Sequence, residues 1–189
     1  MKKLSLALAL LFSVTTASAA TITLDFSTLT PTAGSNFTAA VYLSNAFAPP
    51  VAGDEIIGFG FDVFSGNNTV LSFVNATIAP LFTSAGAAGA DVSAFTVDPS
   101  LAAGSFVEPL LLATLTFQAN NAGTTNAGVL TDLITPNPDH GLFYLGNTLA
   151  INASQSIDVF AAPVGIPEPS TFVLLSGALA ALAALRRKR

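Results

Sequence analysis

The chain has no cysteine and no tryptophan, a single histidine, and only six basic residues among 189. Without cysteine there is no disulfide framework, no thiolate nucleophile and no thiolate metal site. The basic residues are Lys2, Lys3, Arg186, Arg187, Lys188 and Arg189, so residues 20–185 contain none. That stretch holds eleven acids, Asp25, Asp54, Glu55, Asp62, Asp91, Asp98, Glu108, Asp132, Asp139, Asp158 and Glu168, for a charge of about −11. A body without Lys or Arg cannot replace the counterions of a nucleic acid, so nucleic acid is excluded as a partner. Anionic lipid surfaces are poor partners for the same reason. Internal Lys or Arg salt bridges are impossible, which leaves apolar burial and backbone hydrogen bonds to hold the fold.

The scarcity of catalytic side chains limits chemistry just as sharply. A Ser-His-acid arrangement would have to use His140, which sits in the turn Pro136-Asn137-Pro138-Asp139-His140-Gly141 outside any nucleophile-elbow frame. It reads as a solvated turn residue. Paired carboxylates alone can hydrolyse glycosides, but a sugar-cleaving cleft normally also carries aromatic platforms, and here the only candidates beyond phenylalanine are Tyr42 and Tyr144. The expectation is a non-enzymatic protein with no cofactor. Calcium is the one metal whose oxygen ligands are available, with Asp54, Glu55 and Asp139 as loop candidates, although no EF-hand or repeat loop frames them.

What is present in quantity is two-residue periodicity. In Ile56-Ile57-Gly58-Phe59-Gly60-Phe61-Asp62-Val63-Phe64 the residues Ile57, Phe59, Phe61 and Val63 share one face. In residues 111–117, Leu111, Leu115 and Phe117 point inward while Thr114 and Thr116 point outward. Further strands are expected at 21–26, 37–43, 70–77, 94–97, 127–134, 142–145 and 157–161, separated by clusters of Gly, Pro, Asn and Ser that supply turn conformations. Residues 78–90 read as a loop with one helical turn. Thirteen of the fifteen phenylalanines lie in residues 20–163, enough to fill the space between two sheets. The fold class is therefore all-β, a two-sheet jelly-roll-like β-sandwich.

The two ends carry a different pattern. Met1-Lys2-Lys3, an apolar stretch and then Ala17-Ser18-Ala19-Ala20 make a signal peptide over residues 1–19. Ala17 and Ala19 have the spacing of a signal peptidase site, placing the cut after Ala19, with a cut after Ala20 as the neighbouring alternative. Export through the Sec machinery follows. Residues 164–189 form a tail: the triplet Pro167-Glu168-Pro169, an apolar run over 170–185, and the basic stop Arg186-Arg187-Lys188-Arg189. The prolines hold Glu168 extended. Sixteen residues make about 24 Å of helix, just short of a hydrocarbon core of about 30 Å that the basic side chains can help to span by snorkelling. The basic cluster keeps the chain end cytoplasmic and the body on the outer side of the inner membrane.

Two resemblances follow from these residues. The run from Ile56 to Thr83 together with the segment from Leu111 to Asn120 resembles the cohesin-like family of extracellular bacterial β-sandwiches. That implies a sandwich over residues 20–163 related to cohesins and to some carbohydrate-binding modules. Ser65-Gly66-Asn67-Asn68 stands where cohesins often have an Asp-Pro turn, so dockerin binding is not carried over. The tail, with its Pro-Glu-Pro triplet, apolar run and basic end, is similar to the PEP-CTERM sorting tail of gram-negative bacteria. That resemblance implies recognition by an exosortase, a membrane-embedded cysteine transpeptidase, followed by release or transfer to a surface or extracellular matrix in which exopolysaccharide is a candidate partner. An alternative function is an extracellular carbohydrate- or protein-binding module.

Overall fold

The computed structural model describes residues 19–86, 89–98, 100–131 and 139–163. The leader up to residue 18 and the whole tail, including the Pro-Glu-Pro triplet, the apolar run and the basic stop, lie outside the described residues. Within them the protein is a two-layer antiparallel sandwich with no helix. Strands β1 (Thr21–Phe26), β2 (Asn36–Ser44), β7 (Leu110–Ala119) and β4 (Leu71–Ile78) form one sheet in the order β1-β2-β7-β4. The other sheet is built on β3 (Ile56–Ser65). It runs β10 (Thr148–Leu149), β9 (Gly141–Tyr144), β3, β6 (Val92–Thr96), β5 (Phe82–Ser84), and β8 (Gly123–Leu130) joins β3 to β11 (Asn152–Val159).

The alternation read from the sequence does place Phe59, Phe61, Leu115 and Phe117 in the core, all fully buried. Two bulges shift the rest. Ile56, not Ile57, is buried, because the β3–β9 register slips between Ile56 and Gly58. Likewise Leu110 and Leu112 are buried while Leu111 is not fully so, because the β2–β7 pairing slips at Val41/Tyr42. A bulge adds one residue to one strand and reverses the inward face beyond it. The expected loop with a helical turn at 78–90 instead contains β5, and the strand expected at 127–134 starts earlier, at Gly123, and ends at Leu130.

Both sheets contribute aromatic clusters to the interior. Phe117 stacks on Phe37 at 5.8 Å between ring centroids and meets Phe26 and Phe73, both at 6.1 Å. In the facing sheet Phe59 stacks on Phe61 at 5.7 Å and meets the edge of Phe82 at 5.0 Å. Near the start of β3 a polar latch closes the sandwich. The Glu108 carboxylate accepts hydrogen bonds from the amides of Asn45 (3.0 Å) and Ala46 (2.9 Å), and the Tyr144 hydroxyl donates to the Ala46 carbonyl. Glu108 thus ties the segment before β7 to the turn after β2.

Tyr144 gives this latch a pH signature. Burial foremost, and the Asp54 and Glu108 carboxylates second, push its phenol up to about 12. An unfolded tyrosine titrates near 10, so the folded chain holds this proton more tightly. The stabilisation is complete below about pH 10 and is lost as pH rises through the folded value. Urea midpoints of the wild type are expected to fall more steeply than those of Tyr144→Phe between about pH 10 and 12. Parallel curves would contradict this.

Candidate functional site

On the outer face of the β3 sheet, pairing sets side chains in rows. Phe95 on β6 and Phe143 on β9 both lie opposite Gly58 on β3, and Phe143 in turn faces Thr148 on β10. The next row inward along the chain, Ala94, Phe59 and Leu142, points into the core. Gly58 is small for a reason: a Cβ there would come within 3.0 Å of the Phe95 ring and collide with the Ala94 carbonyl. The Phe95 ring therefore leans over the glycine, yet Phe95 remains 55 % exposed. Together these residues make a cleft of about 350 Å³ lined by Ile57, Ala85, Ser93, Phe95, Phe143 and Thr148, with Asp139 at its end.

One wall is fixed by a crossing of backbones. The Asp139 carbonyl lies directly over Gly60, in the space a side chain would need. His140, expected to be a solvated turn residue, is buried at 5 % exposure. Its Nε2 is 3.0 Å from the Gly89 carbonyl oxygen, which can only accept, so that nitrogen carries hydrogen; it also lies 3.3 Å from Asp62 Oδ1. The same Asp62 oxygen accepts the Asp91 amide at 3.2 Å, and Asp91 Oδ2 accepts the Val63 amide at 2.9 Å. His140 thus joins the approach to β9 to β3 and to the segment leading into β6. The sequence signal that could have located it is Gly60, whose missing side chain lets that segment cross the sheet.

The calcium candidates are not drawn into one group. Asp54 accepts the Gly146 amide on both carboxylate oxygens (3.2 and 3.1 Å) and the Glu55 amide at 2.9 Å, while Glu55 is bonded to Ser100. Asp139 lies over Gly60 instead, by the start of β9, whereas Gly146 follows its end. Among the described residues no three His, Cys, Asp or Glu side chains are grouped to hold a metal. The cleft lining combines the aromatic residues Phe95 and Phe143 with the hydroxyl-bearing Ser93 and Thr148, and contains no Lys or Arg. Of the residues expected at the signal peptidase site, Ala17 is outside the described residues. Ala19 and Ala20 lead directly into β1, with the Thr21 hydroxyl donating to the Ala19 carbonyl at 2.9 Å. Among the described residues no helix is long and apolar enough to cross a membrane.

Comparison with known proteins separates body from tail. No curated protein matches the chain. A cohesin module from a family 33 glycoside hydrolase of Clostridium perfringens superposes with a TM-score of 0.50 at 12 % identity, covering 76 % of this chain and 98 % of that one. A type II cohesin domain from the cellulosome of Acetivibrio cellulolyticus gives 0.40 at 12 % identity, over 73 % and 94 %. At such identities the likeness establishes the fold alone, and it rests on the first of these. Residues 165–189 match the PEP-CTERM protein-sorting motif. Such a motif implies export, membrane-anchored sorting and an exosortase as processing partner. The chain therefore joins a cohesin-like β-sandwich to a C-terminal PEP-CTERM protein-sorting motif.

Proposed function

We propose that this is a non-enzymatic surface or extracellular-matrix protein. Signal peptidase removes its leader after Ala19, a helix over residues 170–185 holds it in the inner membrane, and an exosortase cuts it at Pro167-Glu168-Pro169. The observation that carries this reading is the sorting motif at residues 165–189, beginning six residues after the last strand ends at Val159. Arg186, Arg187, Lys188 and Arg189 act as the cytoplasmic stop until processing. Mass spectrometry of the protein recovered from the cell surface or medium is expected to find Arg186 to Arg189 missing in wild-type cells and retained in cells lacking the exosortase. An intact C-terminus in the membranes of wild-type cells would sink the processing step.

The cleft favours a second reading of the same body, an extracellular module that binds carbohydrate or a partner protein. Exposed Phe95 beside a glycine floor is the feature that supports it, since an aromatic ring of that size costs free energy when left in water. Both readings can hold together, with the module displayed by the sorting route and exopolysaccharide as a matrix partner.

A further inference from the structure

We infer that the cleft between Phe95 and Phe143 is a binding site for an uncharged sugar ring, with the two phenylalanines as stacking faces. The inference rests on the binding-module reading and names its ligand class. Phe95 and Phe143 sit opposite the same residue, Gly58, on the two sides of β3. They are therefore two strand spacings, roughly 9.5 Å, apart at the backbone. Gly58 lets the Phe95 ring lie down over the sheet and present its face to the cleft, and Ile57 adds apolar surface beside it. The volume of about 350 Å³ is at the small end for ligand pockets and suits one or two rings.

The alternatives fit less well. A peptide added as a β-strand needs an open sheet edge, but the cleft lies on the face of β3, which is hydrogen-bonded on both sides by β6 and β9. An amphipathic helix is about 10–12 Å across and needs a groove several turns long. Hydroxyl-bearing residues are part of the lining, where ring hydroxyls would project: Ser93 and Thr148. The Ser93 hydroxyl is held by its bond to the Gly86 carbonyl at 2.8 Å, which leaves its oxygen as an acceptor facing the cleft. Charge decides the class of sugar. With no Lys or Arg in residues 20–163 and ten acids there, uronates and sulfated sugars meet a body of their own sign.

The test uses the full chain in phospholipid nanodiscs, titrated by calorimetry with neutral β-glucan oligosaccharides, N-acetylhexosamine oligosaccharides and oligouronates, against empty nanodiscs. Expected is saturable binding of a neutral oligosaccharide, weakened about tenfold or more by Phe95→Ala and by Phe143→Ala. Val107→Ala, at a residue 88 % exposed and outside the cleft, is expected to leave it unchanged. Phe95 is largely solvent-facing, so its alanine variant folds, and a circular dichroism melt verifies that. Binding indifferent to both phenylalanine variants would leave the module reading standing and overturn this cleft as its site. Oligouronates bound as tightly as neutral sugars would overturn the ligand class. No binding of any neutral probe would overturn the inference while leaving the sorting route untouched.

Discussion

Gly60→Ala is expected to destabilise the sandwich by about 3 kcal/mol, the upper part of the range for overpacking. Gly60 does not need glycine for its backbone conformation, since it is not among the positive-φ residues. On conformational grounds alone the alanine would gain several tenths of a kcal/mol by restricting the unfolded chain. The cost is steric. A Cβ at residue 60 would land on the Asp139 carbonyl oxygen and lie 3.0 Å from its carbon, and a backbone carbonyl has no rotamer to swing away. Either β3 separates from β9 at the pair Gly60 and Gly141, or the Asp139-His140 segment lifts. Lifting it draws His140 away from the Gly89 carbonyl and from Asp62, leaving buried polar groups short of partners. Gly66→Ala makes the contrast: its tightest contact would be the Thr125 hydroxyl, at 3.3 Å, a side-chain atom that can shift, with the Asn126 backbone at ordinary contact distances of 3.6 and 3.7 Å. Urea denaturation should separate the two clearly. A Gly60→Ala protein within about 0.5 kcal/mol of wild type would show that the crossing is not a fixed wall of the cleft.

The contrast between Phe59 and His140 explains how much of this molecule was legible in its sequence. Phe59 and Phe61 could be placed in the core because a strand alternates faces over many residues, and the pattern survives without knowledge of the partner strand. Ile57 was placed on the wrong face, and the full burial of Leu112 beside the partly buried Leu111 was missed, because a bulge belongs to a pair of strands and nothing in one strand announces where its partner slips. β5 and β10, three and two residues long, are too short to show any period. His140 lay in a Pro-, Asn- and Asp-rich stretch that reads as surface, and its burial follows from the crossing over Gly60, a contact between residues far apart in the chain. The cleft was hidden for the same reason. Phe95, Gly58 and Phe143 come from three separate strands, and only register brings them into one row. The sorting motif at residues 165–189 was legible because its order of parts, triplet, apolar run and basic end, is a linear signal that needs no tertiary contact.

Phe117→Ala should lower stability by about 4 kcal/mol, close to the whole margin of a weakly stable domain. Phe117 is fully buried on β7, the central strand that pairs with both β2 and β4. Its ring touches Phe37, Phe26 and Phe73, which come from β2, β1 and β4. Removing it leaves a cavity walled by three strands that are already hydrogen-bonded in place and cannot close in. The chain has few other ways to absorb the loss. It has no disulfide, and with no Lys or Arg between residues 4 and 185 it has no network of ion pairs, so the aromatic interior must supply what those devices supply in other exported domains. Phe95→Ala serves as the internal control, because that ring is more than half exposed and its truncation should move the denaturation midpoint little. A Phe117→Ala variant that loses less than about 1.5 kcal/mol would mean the β1-β2-β7-β4 sheet does not depend on its phenylalanine cluster. The same charge count sets the salt response: acids without a Lys or Arg to offset them repel one another, and salt screens that repulsion, so the urea midpoint should rise between low and high salt.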